Sequence, residues 1–137
     1  MCLAKVTKRV KANKKVVPAW KGFFAGAFGV DICFPFYYLR DKTIVPRGKW
    51  IRAENEPLSA NEDDVIYPSG FHATDCKWTA KLWGKPFKVL LRDVRTQGIQ
   101  RRFGVRQRTY VANEMYVPAE DERIVGTKIV KTKGVTK

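Results

Sequence analysis

The chain has 137 residues, enough for one domain with its own core, and its 45% hydrophobic and 12% aromatic content excludes a disordered protein. Its 27 Lys and Arg against 13 Asp and Glu give a net charge of +14, and no apolar run approaches the ~20 residues of a membrane-spanning helix. Cys2, Cys33 and Cys76 are scattered without a CxxC pair and His72 is the only histidine, so the spacing suggests reduced thiols and no metal site.

Residues 1–15 read as a basic arm, 16–130 as a single domain and 131–137 as a basic tail. The arm carries Lys8, Arg9, Lys11, Lys14 and Lys15, and no apolar stretch of a secretory leader follows it. Val16 to Phe24 is strand-like, and Gly26 and Gly29 supply a turn into a second strand, Asp31 to Leu39, which Pro35 pushes towards an edge. These two make a hairpin. Gly48 to Ala53 is a short third strand, and the acidic stretch from Glu54 to Pro68 is a surface loop.

Pro68-Ser69-Gly70 turns the chain into a short strand from Phe71 to Ala73. Thr74 or Asp75 then caps a helix that runs to about Trp83, with Trp78 and Leu82 four apart and Gly84 and Pro86 ending it. Phe87 to Val94 is a strand and Thr96 to Gly98 a turn. Residues 99–109, with Arg101, Arg102, Arg106 and Arg108, are a loop or weak strand. Tyr110 to Pro118 is a core strand, and Arg123 to Val130 a final one. Strands, one helix and more strands predict an α+β domain: a mainly antiparallel or mixed sheet with one principal helix at about 75–83.

Glu114 is the odd residue of the core strand. Strict alternation sets it on one face with Tyr110, Ala112 and Tyr116, where a cleft wall could use its carboxylate to accept a proton or stabilise positive charge. A solvent-facing or arginine-paired glutamate reads the same way. His72 precedes a predicted helix start among small neighbours, as a ligand contact or as a structural histidine. The arginines of 101–108 suit a phosphate clamp, and aromatics beside lysines (Trp20-Lys21, Lys49-Trp50, Lys77-Trp78) suit base stacking or core packing. P-loop, GxSxG, HExxH and EF-hand patterns are absent from the sequence.

Gly70-Phe71-His72-Ala73-Thr74-Asp75, with Ala80 in the helix after it, and Glu114-Met115-Tyr116-Val117-Pro118 together resemble the elements of the ADP-ribosyltransferase-like fold. The resemblance implies NAD or a related nucleotide as ligand, Glu114 and His72 as catalytic residues, and Gly70, Phe71 and Thr74 at the cofactor. Its early basic residue would be Lys21 or Arg40. Ala73 and Asp75 replace serines of the family pattern and Ala112 its second carboxylate or amide, which implies a degenerate site and leans away from an enzyme. Met1 to Val6, Gly48 to Ile51, Ser69 to Ala73 and Glu114 to Pro118 are also similar to small proteins of tailed bacteriophages. That resemblance implies action in the cytoplasm of an infected bacterium, or a place in the virion. The alternative function is a non-enzymatic basic protein that binds a polyanion, either nucleic acid or an acidic host protein.

Overall fold

Short apolar runs with a period of two, broken by glycine and proline, fold as strand through most of the described residues. The computed structural model describes residues 5–25, 32–33, 46–53 and 70–132. They form β1 (Lys5–Arg9), β2 (Val16–Ala25), β3 (Ile32–Cys33), β4 (Trp50–Arg52), β5 (Phe71–Thr74), α1 (Lys77–Ala80), β6 (Lys85–Arg102), β7 (Val105–Tyr116), β8 (Glu122–Val125) and β9 (Lys128–Lys131). A 3-10 turn, Lys81–Trp83, joins α1 to β6.

β6 organises the sheet. Its first half pairs with β2, its second half with β1, and its other edge with β7 from Leu90 to Arg102, all antiparallel. β7 pairs in turn with β5 and β4. A single bridge, Trp20 to Thr74, joins β2 to β5, so β2, β6, β7 and β5 close a small barrel. Val17, Ala19, Phe23, Phe71, Val89, Leu91, Val94, Ala112, Met115 and Val117 pack together as its core. β8 and β9 form a separate hairpin, held by Ile124 against Leu90 and Tyr116 and by the Tyr116 hydroxyl donating to Glu122 Oε1 at 2.9 Å.

The expected α+β class, and with it the expected ADP-ribosyltransferase-like architecture, is corrected. The described residues are 64% strand and 7% helix, and no helix reaches seven residues. Two physical reasons shorten the predicted 75–83 helix. Lys85 is already paired with Phe23, and a Cβ on Gly84 would lie 2.5 Å from the Phe23 carbonyl oxygen, so the chain must flatten onto β2 by residue 84. The predicted apolar face is also not the buried one: Ala80 is buried, whereas Trp78 is 59% exposed. Cys76, not Thr74 or Asp75, holds the N-cap position, without a side-chain cap bond.

Two further boundaries differ from the sequence reading. Thr96 to Gly98 does not turn; it continues β6, because β1 and β7 pair with it on both edges. The turn comes at Phe103-Gly104, with both residues at positive φ (51° and 77°), the pattern of a two-residue hairpin loop. The predicted single strand from Arg123 to Val130 is the β8–β9 hairpin, turned at Gly126 with φ 64°. Of the predicted strand from Asp31 to Leu39, Ile32–Cys33 pairs with β2. The Gly26/Gly29 turn, the acidic loop of 54–68 and the tail from 133 lie outside the described residues.

Candidate nucleic-acid interface

Antiparallel partners share a face, so the register shows what each side of β5, β7 and β6 carries. One side feeds the apolar core. The other is buried but polar: Thr74 lies beside Thr109, His72 beside Val111 and Thr96 beyond it, and Gln100 beside Gln107. Lys21 is buried too, and its ammonium donates to the His72 carbonyl oxygen at 2.7 Å. Burial pushes the Lys21 amine down from its ordinary 10.5 to about 7. Burial first, and the Lys21 charge second, hold the His72 imidazole down at about 3, against a hydrogen bond with the Gly70 backbone that acts the other way.

The structure thus brings together three of the residues named for a nucleotide site, Lys21, His72 and Thr74, around a cavity also lined by Trp20, Gly22, Ala80 and Gln100. The cavity measures about 10 Å³, space for one water. A dinucleotide needs hundreds of Å³, so these residues do not fit NAD and no chemical step is routed through it. Phe71 is fully buried in the core, Gly70 precedes it at φ 81°, and Arg40 lies outside the described residues.

Glu114 does not join this group. Its cross-strand neighbours are Arg92 on β6 and Arg52 on β4, and its carboxylate is 2.6 Å from Arg92 Nε and 3.7 Å from Arg52 Nη1. The Arg92 guanidinium stacks 4.0 Å from the Trp50 ring centre. Glu114 borders an open recess of about 370 Å³ with Ala12, Asn13, Lys14, Arg52 and Asp93, none of which lines the Lys21 cavity. The alternation predicted for its strand also breaks. Tyr110 and Ala112 face the core, but Met115 and Val117, predicted on the opposite face, follow them there out of phase. The cause lies opposite, where Asp93 on β6 takes φ 59° and the register slips between Val94 and Thr96.

Some of the basic residues share one face of β1, β6 and β7. Lys8 on β1 pairs with Gln97 on β6, and Gln97, Ile99 and Arg101 alternate along that face, with Arg108 opposite Ile99 and Arg106 opposite Arg101. Lys8, Lys11, Lys14, Lys15, Arg101, Arg106 and Arg108 are all exposed. A groove of about 270 Å³ lined by Lys8, Lys15, Asn13, Val17, Val94 and Gln97 continues the face away from the hairpin. From Val94 to the Phe103 tip it spans roughly 30 Å at ~3.3 Å per residue. Arg9 and Arg102 lie in β1 and β6.

Two arginines directly opposite each other repel, which weakens a strand pair. Arg101 and Arg106 are such a pair, and among the described residues neither meets a carboxylate, whereas Arg108 reaches Asp75 at 3.7 Å. Phe103 at the tip is 77% exposed. The sequence reading passed over it, although a two-residue x-Gly step between paired arginines is a readable hairpin signal. Asp93 and Asn113 were also passed over. No family model, no curated protein and no solved structure matches this chain.

Proposed function

We propose that the protein is a non-enzymatic nucleic-acid-binding protein that engages the phosphate backbone through the face made by β1, the second half of β6 and the start of β7. The observation that carries this reading is the Arg101–Arg106 pair on an exposed hairpin, which meets no carboxylate among the described residues, follows Gln97, the partner of Lys8, along β6 and is continuous with a groove bordered by Lys15. Such a pair costs the free fold stability, and an anion between the two guanidinium groups turns the repulsion into attraction. Phosphate contacts of this kind release counterions, so affinity falls steeply with salt.

The test is fluorescence anisotropy of a labelled nucleic acid titrated at several salt concentrations. Each phosphate contact adds about −0.9 to the slope of log K against log salt for a duplex. Replacing Arg101, Arg106 and Arg108 by Gln is expected to lower the slope by roughly 2 to 3 and weaken binding at low salt by at least about tenfold. Affinity indifferent to salt, or unchanged in the triple variant, rejects the proposal.

A further inference from the structure

We infer that Trp78 is a stacking platform for an unpaired base, so that the protein takes up single-stranded nucleic acid at α1 while the arginines of β6 and β7 hold its phosphates. The inference rests on the nucleic-acid reading above and names the form of nucleic acid and the residue that selects it.

Three tryptophans stand beside a lysine in the sequence, and the structure separates them. Trp50 packs edge-on against Tyr116, with ring centres 5.6 Å apart, and carries the Arg92 guanidinium 4.0 Å from its own ring centre. Trp20 lines the Lys21 cavity, and its ring takes the Lys77 ammonium at 5.5 Å. Both rings are used within the fold. Trp78 is 59% exposed and, among the described residues, meets neither a second ring nor a cation. The helix does not need it as an anchor. Ala80 is its buried residue, and the Thr79 hydroxyl donates to the Cys76 carbonyl oxygen at 3.0 Å.

The setting of the ring is cationic. Lys77 precedes it, and Lys81, three residues on, is its neighbour on the helix surface. Both lysines are exposed, and among the described residues neither pairs with a carboxylate. An apolar ring rimmed by ammonium groups suits a ligand with a flat face and a negative charge, which is the chemistry of a nucleotide. An apolar protein surface laid on the same ring would desolvate those ammonium groups without a partner.

The platform also adjoins the phosphate-binding face. β5 runs into α1, Thr74 pairs with Thr109, and the Asp75 carboxylate lies 3.7 Å from Arg108 Nη1. Trp78 follows Asp75 by three residues, about one helical turn. Arg108 stands opposite Ile99, and Arg106 opposite Arg101. Asp75, the acid on this path, is already engaged by Arg108. A duplex keeps its base faces inside its own stack, so it can use the arginines and not the ring, whereas an unpaired strand can use both.

The experiment measures fluorescence anisotropy of a labelled single strand, the same strand with abasic residues, and the duplex of that sequence, with the full chain, Trp78→Ala and Trp78→Phe across a salt series. Trp78→Ala should lose about fivefold or more in affinity for the single strand, the lower end of what one stacked base contributes. Its salt slope should not change, because stacking releases no counterions. Trp78→Phe should recover most of the loss. The abasic strand should bind the wild-type chain about as weakly as the intact strand binds Trp78→Ala. All three proteins should bind the duplex equally and melt at the same temperature. Undiminished single-strand affinity in Trp78→Ala, an equal loss on the duplex or the abasic strand, or a lowered melting temperature overturns the platform alone. A chain that binds none of the three nucleic acids removes the reading beneath it as well.

Discussion

A lysine inside the core makes folding depend on pH. In the unfolded chain Lys21 holds its proton up to about 10.5, whereas in the folded protein it releases it near 7. Between those values the unfolded state binds more protons, so stability rises with pH across that window, by up to about 1.4 kcal/mol per unit. Below pH 7 the folded protein carries a buried ammonium, and the full penalty is present. His72 adds a second window: its folded value near 3 lies below its ordinary 6.5, so stability falls again as pH drops from about 6.5 towards 3. Lys21→Met should therefore stabilise the protein, most at about pH 6 and hardly at all at about pH 10, as read from urea denaturation midpoints at each pH. A gain that does not shrink as pH rises would mean that the lysine is not neutral in the fold. This residue was partly legible. Val17, Ala19, Lys21 and Phe23 alternate onto one face, which places the lysine in the core. The usual exposure of lysine hides that signal, and burial of the ring and amine together depends on strands 51 residues apart.

At the scale of elements, the Asp93 kink decides which face of β6 and β7 enters the core. Asp93 accepts the Asn13 backbone N–H at 3.0 Å and the Asn113 side-chain amide at 2.7 Å, and its carboxylate lies 3.8 Å from Arg95. Asn13 in turn donates to the Val94 carbonyl at 3.1 Å, and Val10 N–H donates to the Arg95 carbonyl at 2.8 Å. The segment that charge alone marks as an arm is thus stitched to the bulge. Asp93→Ala loses both carboxylate bonds and puts a Cβ without a local hydrogen bond at positive φ, at a cost of about 2–4 kcal/mol. Asp93→Gly loses the same bonds but not the backbone tolerance, so it should retain about 1 kcal/mol more stability than Asp93→Ala. Chemical denaturation of the two variants measures the difference, and equal values would assign the whole effect to the carboxylate. The β8–β9 hairpin hangs on a similar anchor. Glu122 accepts the Ala119 N–H at 3.0 Å and the Tyr116 hydroxyl, and these bonds, the backbone one foremost, hold its carboxyl below the usual range. Strand positions were legible here because alternation marks them locally. The kink and the shortened helix were not, because each answers to a distant partner: Asn113 and Asn13 for the kink, Phe23 for the helix end.

For the whole molecule, charge and topology pull in opposite directions. The barrel is closed between β2 and β5 by one bridge, and its long strand β6 shares its edges among β1, β2 and β7. Pairings so distant in sequence are invisible to a local pattern, which is why an α+β order of elements could be read where the strands in fact wrap round. The charge was legible from composition, and so was its clustering, but the alignment of Lys8, Arg101, Arg106 and Arg108 needed the β1–β6–β7 register. A net charge of +14 on 137 residues repels itself in the compact state, so the free protein is less stable at low salt than its core alone would make it. Sodium chloride screens that repulsion, with a Debye length falling from about 10 Å at 0.1 M to 3 Å at 1 M. The free protein is therefore expected to gain on the order of 1 kcal/mol, a few degrees in melting temperature, over that range. The same salt should weaken its complex with DNA by orders of magnitude. Bound polyanion at low salt should replace the screening, raising the melting temperature by linkage, with the rise vanishing as salt approaches 1 M. Thermal melts with and without duplex across the salt series check both slopes together. Parallel slopes, with the free protein losing stability in salt as the complex does, would mean that the basic face is neutralised within the fold and is not held open for an anion.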